Sequence, residues 1–239
     1  MTSKIQDPKM FGKVAVIYGG TSSEREVSLW SGEAVLASLQ AQGINAHGVD
    51  TKAVELLSYL KEEKFDRVFI VLHGRGGEDG VVQGALEYLN IPYTGSGVLA
   101  SSVGMDKIRT KQIWKAIDLP VLESYMIHDL SDAMSLKDTL TYPVAVKPAE
   151  EGSSIGVSRV DRADDLVKAW EAAGGYNSPV FAENWIIGNG EYTCAILNGK
   201  ALPIIRMETD LAFYDYEAKY LRDDTRYFCP AGLSESDET

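Results

Sequence analysis

The chain has 239 residues, room for one to two domains that each bury a core. A net charge of −12 argues against a nucleic-acid backbone as partner, yet leaves room for a local basic pocket that takes a small phosphate ligand. Average hydrophobic and charged fractions exclude a disordered or fibrous chain, and no apolar run reaches membrane-span length. Met1 to Phe11 lacks a signal-peptide core, and Cys194 and Cys229 alone indicate neither a disulfide framework nor a zinc site, so a cytoplasmic protein with reduced thiols is expected.

Lys13 to Tyr18 (KVAVIY) is a β-branched run ending in Gly19-Gly20, the pattern of a buried parallel strand that enters a tight turn. Ser23 and Glu26 are spaced as a capping box, which predicts a helix with Val27, Trp30, Ala34 and Ser38 on one face and an end at Gly43. Asn45 to Val49 is predicted as a strand, Ala53 to Leu60 as a helix, and Arg67 to Leu72 as a strand that runs into HGRGGEDG. Val81 to Leu89 follows as a helix and Pro92 to Thr94 as a short strand, and Gly95, Gly97 and Gly104 then lower the local order. The alternation predicts an open α/β layer with a boundary near Gly104.

Beyond it, Asp106 to Ile117 reads as a helix stopped by Pro120, Ser124 to Ile127 as a strand, Ser131 to Leu140 as a helix, and Pro143 to Lys147 as a strand. Glu191 to Leu197 and Ala201 to Met207 flank Asn198-Gly199, a strong hairpin signal. From Glu208 periodicity is lost, as in a functional loop or a loose end.

Several segments carry candidate chemistry beside a plainer reading. Gly19 to Ser22 between strand and helix offers backbone N–H groups and a helix dipole to an anion, but is also an ordinary βα turn followed by first-turn carboxylates Glu24 and Glu26. The glycines after His73 lie where ligands approach open α/β sheets, although one imidazole fits a structural role equally well. Lys147, followed by Glu150, Glu151, Gly152, Ser153, Ser154 and Gly156, supplies an ammonium, hydroxyls and a flexible loop suited to phosphate, or a solvated turn. Lys107 at a helix start is a second such cation or a surface charge. Val180 to Ile187, with Glu183, Trp185, Ile186 and then Glu191, offers apolar walls and carboxylates for a nucleoside, or simply core. No GxGxxG followed by a ribose acid is present, which disfavours a dinucleotide dehydrogenase.

In this order, GGTSSEREVS, LHGRGGEDG, YTGSG, MDK, VKPAEEGSSIGVS, FAENW, FYDYEAKY and YFCPAGL closely resemble the bacterial D-alanine-D-alanine ligases of the ATP-grasp superfamily, over about Val14 to Leu233. The resemblance implies a fold that is α/β and α+β: a pre-ATP-grasp open α/β domain over residues 1–104 that binds the first D-alanine, then an ATP-grasp fold split into 105–187 and 188–239. It implies ATP-dependent joining of two D-alanines through an acylphosphate for peptidoglycan synthesis, two Mg ions or Mn in their place, a homodimer, and no nucleic-acid or membrane partner. Glu24 matches the carboxylate that holds the first D-alanine ammonium, and His73 the imidazole near its carboxylate. Ser153 is similar to the serine linking that glutamate to the lid tyrosine, here Tyr220, and a tyrosine there favours the amide-forming over the ester-forming branch. Lys107 and Lys147 resemble the nucleotide-phosphate lysines, Ser154 belongs to the same loop, and Lys219 resembles the lid lysine. Glu183, Trp185 and Ile186 match the adenine segment and Glu191 the ribose carboxylate, and Asp210 to Leu221 looks like the closing lid.

Two departures accompany the resemblance. Asn189-Gly190 lengthens the turn before Glu191 by about one residue, and the family's later stretch, with its arginine and metal-binding Asp, Glu and Asn, has no counterpart before Thr239. The expectation is an ATP-grasp fold incomplete at its C-terminus, with no metal ligand in this chain. The competing expectations are a binding-only remnant and an ATP-grasp carboxylate-amine ligase with other amino-acid partners.

Overall fold

The computed structural model describes residues 7–188, 190–211, 213–234 and 237. Asn189, on which the lengthened turn rests, Ala212 within the expected lid, the first six residues of the Met1 to Phe11 stretch and most of the final SESDET lie outside them. The chain forms two units, Met1–Val121 with Ala149–Gly152, and Leu122–Pro148 with Ser153–Thr239.

In the first unit, β1 (Lys13–Tyr18), β2 (Asn45–Asp50) and β3 (Arg67–Ile70) form a parallel sheet in the order β2-β1-β3. Ala15 and Ile17 pack into one core with Leu60, Val68 and Leu86, and Val14 and Val16 into another with Ala46 and Val71. A strand buried on both faces explains why Val14 to Ile17 is continuously apolar. The helices are α1 (Arg25–Ala41), α2 (Leu56–Glu62), α3 (Val81–Tyr88), α4 (Val98–Met105) and α5 (Lys107–Ala116). Pro92 to Thr94 reduces to one parallel bridge, Val68 to Tyr93.

Two local readings of α1 are corrected. The residue at its N-cap is Glu24, with no side-chain cap bond, and Ser23 Oγ instead lies 3.5 Å from Glu151 Oε2. The inward face is Val27, Ser28 and Gly32, while Trp30 is 53% exposed and Ala34 and Ser38 face solvent. The reason is Gly32: a Cβ there would meet the Tyr18 ring atom Cγ at 2.4 Å, so the helix seats its bare backbone against Tyr18 and turns Trp30 outward. The segment after Gly95 is also better ordered than its glycines suggest, because Gly97 serves as the N-cap of α4 in ordinary extended backbone.

The turn after β1 is tied down by charge. Arg25 donates to both carboxylate oxygens of Asp50 at 2.9 and 2.6 Å and to the Gly20 carbonyl at 3.0 Å. The Arg25 hydrogen bonds hold the Asp50 carboxyl below its usual range. A depressed carboxyl contributes stability above the unfolded pKa, near 4, and loses it as pH falls through the lower folded value. Asp50→Asn is therefore expected to flatten the decline of urea stability below about pH 4 relative to wild type. Parallel acid limbs in the two proteins would show that the pair adds nothing.

The second unit opens with β4 (Ser124–Ile127), α6 (Leu130–Leu136), β5 (Val144–Pro148), β6 (Ser158–Val160), α7 (Leu166–Ala172) and β7 (Val180–Asn184). The strands pair antiparallel in the order β4-β7-β5-β6, and Val144, Val146, Val160, Val180 and Ala182 share a core with Leu166 and Trp170. Next come β8 (Glu191–Thr193), β9 (Ile196–Leu197), β10 (Lys200–Ala201) and β11 (Ile205–Glu208), then a short helix α8 (Tyr216–Tyr220) and β12 (Arg226–Phe228). Asn198 and Gly199 do form the tight turn, both at positive φ, but the two long strands expected on either side are broken. Pro203 has no N–H to continue the ladder. Thr193 therefore pairs with Ile205 in a separate sheet, order β12-β11-β8. The stretch after Glu208 is likewise not wholly aperiodic, since Asp215 caps α8 by accepting from the Ala218 N–H at 2.9 Å.

Candidate active site

In the first unit the candidate residues gather at the carboxyl ends of β1 and β3. Gly19 and Gly20 both take positive φ, and the Gly19 N–H donates to Ser28 Oγ at 2.8 Å, which in turn donates to the Val71 carbonyl at 2.6 Å. Glu24 emerges from this turn and is 2% exposed. Two glycines make room for its carboxylate: a Cβ on Gly74 would lie 2.7 Å from Glu24 Oε2, and one on Gly152 would lie 2.9 Å away. Ser22 Oγ receives the Glu24 N–H at 3.2 Å and donates to the His73 carbonyl at 2.8 Å, which fixes the Glu24 turn against the His73 loop. The His73 ring lies 3.3 Å from Ser31 Oγ and 3.9 Å from Glu78 Oε1. Lys107, at the start of α5, donates through Nζ to the Glu151 carbonyl. Its amide donates to the Ala149 carbonyl at 3.0 Å, so this lysine heads the loop that leads to Ser153.

In the second unit Lys147 and Glu183 form an ion pair across β5 and β7. The register explains it: Lys147 faces Phe181, Ala145 faces Glu183, and side chains two apart share a face, so the two charges are diagonal neighbours. A cavity of about 430 Å³ is bordered by Arg159, Trp185, Ile186, Glu191, Phe213 and Tyr214 among others. Trp185 is set edge-on to Phe213 at 5.4 Å between centroids, and the Arg159 guanidinium lies 5.4 Å from the Trp185 ring centroid. Ile186 is exposed along this wall.

Ser153 and Ser154 both take positive φ, 49° and 60°, a strained conformation that persists in non-glycine residues where surroundings enforce it. Here the enforcement comes from the segment around α8. Ser153 Oγ lies 2.8 Å from the Tyr220 hydroxyl. Ser154 Oγ accepts from Lys219 Nζ at 2.9 Å and donates to the Tyr214 carbonyl at 3.2 Å. The sequence reading thus placed Ser153, Ser154, Lys219 and Tyr220 in one neighbourhood, and the structure brings them together. It missed Arg159, Phe213 and Tyr214. The aromatic pair lies inside FYDYEAKY, but hydrophobicity alone gave no sign of which ring would meet Trp185. Arg159 alternates with core-facing Val160 on β6, and that was its only signal.

A parallel α/β unit, followed by antiparallel sheets that carry a strand-borne lysine, a Ser-Ser loop and a tyrosine- and lysine-bearing helix, is the architecture of ATP-grasp ligases. The family model described as D-ala D-ala ligase C-terminus matches residues 113–239, and that for the N-terminus matches 46–96. The D-alanine-D-alanine ligase of Ectopseudomonas mendocina is 53% identical over 232 residues, which cover 97% of this chain and 74% of that one. Among solved structures, the D-alanine-D-alanine ligase of Bacillus anthracis superposes with a TM-score of 0.77 at 35% identity, covering 94% of this chain and 73% of that one. Its complex with ATP gives 0.73 at 32%, covering 91% and 70%. The chain belongs to the D-alanine-D-alanine ligase family.

Proposed function

We propose that the protein joins two D-alanines into D-alanyl-D-alanine for peptidoglycan synthesis while converting ATP to ADP and phosphate. The observation that carries this reading is the double tie of Ser153 to Tyr220 and Ser154 to Lys219, which unites four residues that the family resemblance assigns to one reaction. In the proposed reaction a carboxylate oxygen of the first D-alanine attacks the γ-phosphorus. The bond from that phosphorus to the β–γ bridging oxygen breaks, ADP leaves, and an acylphosphate remains. The amine of the second D-alanine then attacks the acyl carbon, inorganic phosphate departs, and the amine gives up a proton. Activation is needed because a free carboxylate has no good leaving group.

Glu24 is assigned the first D-alanine ammonium and His73 the neighbourhood of its carboxylate. Lys107, Lys147, Ser154 and Lys219 are assigned the phosphates, where fixed cations and donors oppose the charge that builds during transfer. Glu183, Trp185 and Ile186 are assigned the adenine and Glu191 the ribose. Ser153 and Tyr220 are assigned to hold the lid over the reacting groups, since an acylphosphate open to water hydrolyses. Mg is part of the reading, as a cation that would offset the charge of the phosphates when bound, and among the described residues no three His, Cys, Asp or Glu side chains group as a set that would hold it. Residues 1–104 are assigned to the first D-alanine and 105–187 and 188–239 to the nucleotide.

A homodimer is part of the reading: Val81 and Tyr88, seven residues apart on one face of α3, are exposed together with Leu99 on α4. Sedimentation as a single 26.1 kDa species would overturn it. A cytoplasmic setting follows from the use of ATP, and among the described residues no helix is long and apolar enough to cross a membrane.

The test is phosphate release from ATP and Mg with D-alanine, L-alanine or no amino acid. Release with D-alanine alone supports the reading, and equal release with L-alanine, or none with either, overturns it. Glu24→Gln is expected to raise the D-alanine requirement about 10- to 100-fold, the loss of one charged hydrogen bond, and to leave ATP affinity unchanged. An unchanged D-alanine dependence would remove Glu24 from that role.

A further inference from the structure

Tyr214 touches three residues assigned to the nucleotide, Glu191, Ser154 and Lys219, yet it carries no role in the family resemblance as read from the sequence. Its amide donates to Glu191 Oε1 at 3.3 Å, and its carbonyl accepts from Ser154 Oγ at 3.2 Å. Its ring lies 5.3 Å from Lys219 Nζ, and its hydroxyl is 3.0 Å from that of Tyr227. Burial, and then the Tyr227 hydroxyl, push the Tyr214 phenol well above its ordinary range, so the group stays neutral and keeps its proton to share.

The sheet register shows what these bonds span. Met207 on β11 faces Tyr227 on β12 and also Glu191 on β8, so the three form one row across the sheet. Directly opposed residues share a face. Tyr214 lies along this row, bonded through its amide to Glu191 at one end and through its hydroxyl to Tyr227 at the other. From the same residue the carbonyl reaches the Ser154 hydroxyl. Ser154 has a single proton, which goes to Tyr214, so its lone pairs face the Lys219 ammonium. The ring of Tyr214 offers that ammonium a second, electrostatic partner.

We propose that Tyr214 is a positioning residue that sets the phosphate-side pair Ser154 and Lys219 in register with the ribose carboxylate Glu191, pinned to the sheet by Tyr227. The proposal rests on the nucleotide reading above. A triphosphate that engages Glu191 and Lys219 together gains from this pre-arrangement, because the entropy of ordering α8 against the sheet is already spent. Adenosine, which lacks phosphates, gains little from it.

The experiment uses the full chain and two readouts. Without nucleotide, trypsin cleavage after Lys219 and Arg222 reports how firmly α8 is held. Tyr214→Phe and Tyr227→Phe each remove one side of the hydroxyl pair and are expected to speed cleavage about 5-fold, an energy near 1 kcal/mol, with the double variant no faster than the faster single one. Binding supplies the second readout: ATP affinity should fall about 3- to 10-fold in each variant, and adenosine affinity by less than twofold. Unchanged cleavage, additive cleavage effects, or equal losses for ATP and adenosine would each overturn the proposal. If the wild-type chain fails to bind ATP, the nucleotide reading fails, and the cleavage cycle in the ligand-free chain still decides whether Tyr214 is pinned by Tyr227.

Discussion

Lys147→Ala is expected to lower ATP affinity by about 100-fold while adenosine affinity changes only a few-fold. The lysine is held at the end of β5 by Glu183, diagonal to it on β7, and its stem passes the Phe181 ring, with Nζ 5.4 Å from the ring centroid. It is therefore pre-positioned, and binding phosphate costs little side-chain ordering. A charged hydrogen bond contributes about 1.5–3 kcal/mol. Removal also takes from Glu183 the cation that offsets its charge, and an unscreened carboxylate in the nucleotide site repels the incoming anion. The same substitution carries a folding cost. The Glu183 side chain is 9% exposed, and stripping the partner from a buried ion pair costs about 3 kcal/mol or more. The two effects separate in Lys147→Ala/Glu183→Gln, which should recover most of the stability and little of the ATP affinity. Titration calorimetry with ATP and adenosine, beside urea unfolding, reads both quantities. ATP affinity within threefold of wild type would take Lys147 out of the phosphate site.

The largest effect on folding is expected at Trp170. The ring is 1% exposed in the core formed by α6, α7 and the β4-β7-β5-β6 sheet, its Nε1 donates to the Ile127 carbonyl at 3.2 Å, and Tyr176 meets it edge-on at 4.7 Å. A Cβ on Gly175 would lie 2.1 Å from its Cε2, so the backbone closes directly onto the indole. Trp170→Ala would remove the largest fully buried side chain of this unit and strip a partner from a buried carbonyl, a loss of about 4–5 kcal/mol. That is comparable to the whole stability of a modest domain. Because the chain has two units, one unfolding midpoint would mix them, so hydrogen exchange of the β5 and β7 amides is the proper measure. A loss below about 2 kcal/mol would mean that the surrounding residues collapse into the space, contrary to the close approach at Gly175.

The parallel layer was legible because its signals are local and redundant. KVAVIY and RVFIVL each run apolar after a first charged residue, Lys13 and Arg67, and glycine turns punctuate them. The face of α1 was not legible, since the choice between Trp30 and Gly32 depends on how near Tyr18 stands, a distance no helical periodicity encodes. The short elements β6 and α7 escaped for a different reason. Three residues of strand, and a two-turn helix whose Leu166, Ala169 and Trp170 face inward, are too brief to establish a period. At the candidate site, strings such as EGSS and FYDYEAKY pointed to the candidate residues. They could not say which serine meets which lid residue, nor that Glu183 is diagonal to Lys147, because both follow from strand register and from the left-handed backbone at Ser153 and Ser154.

Gly74 and Gly152 add no chemistry of their own, yet together they form a mould around the Glu24 carboxylate, with less than 3 Å between that group and any side chain that either could carry. The useful location of the carboxylate is thus specified by two missing methyl groups, on segments 78 residues apart in sequence. In terms of mutational tolerance, the glutamate and the two glycines behave as a single inherited character: a larger residue at either glycine displaces the carboxylate as surely as replacing the glutamate removes it. An effort to redesign these surroundings would have to treat the three positions as one variable.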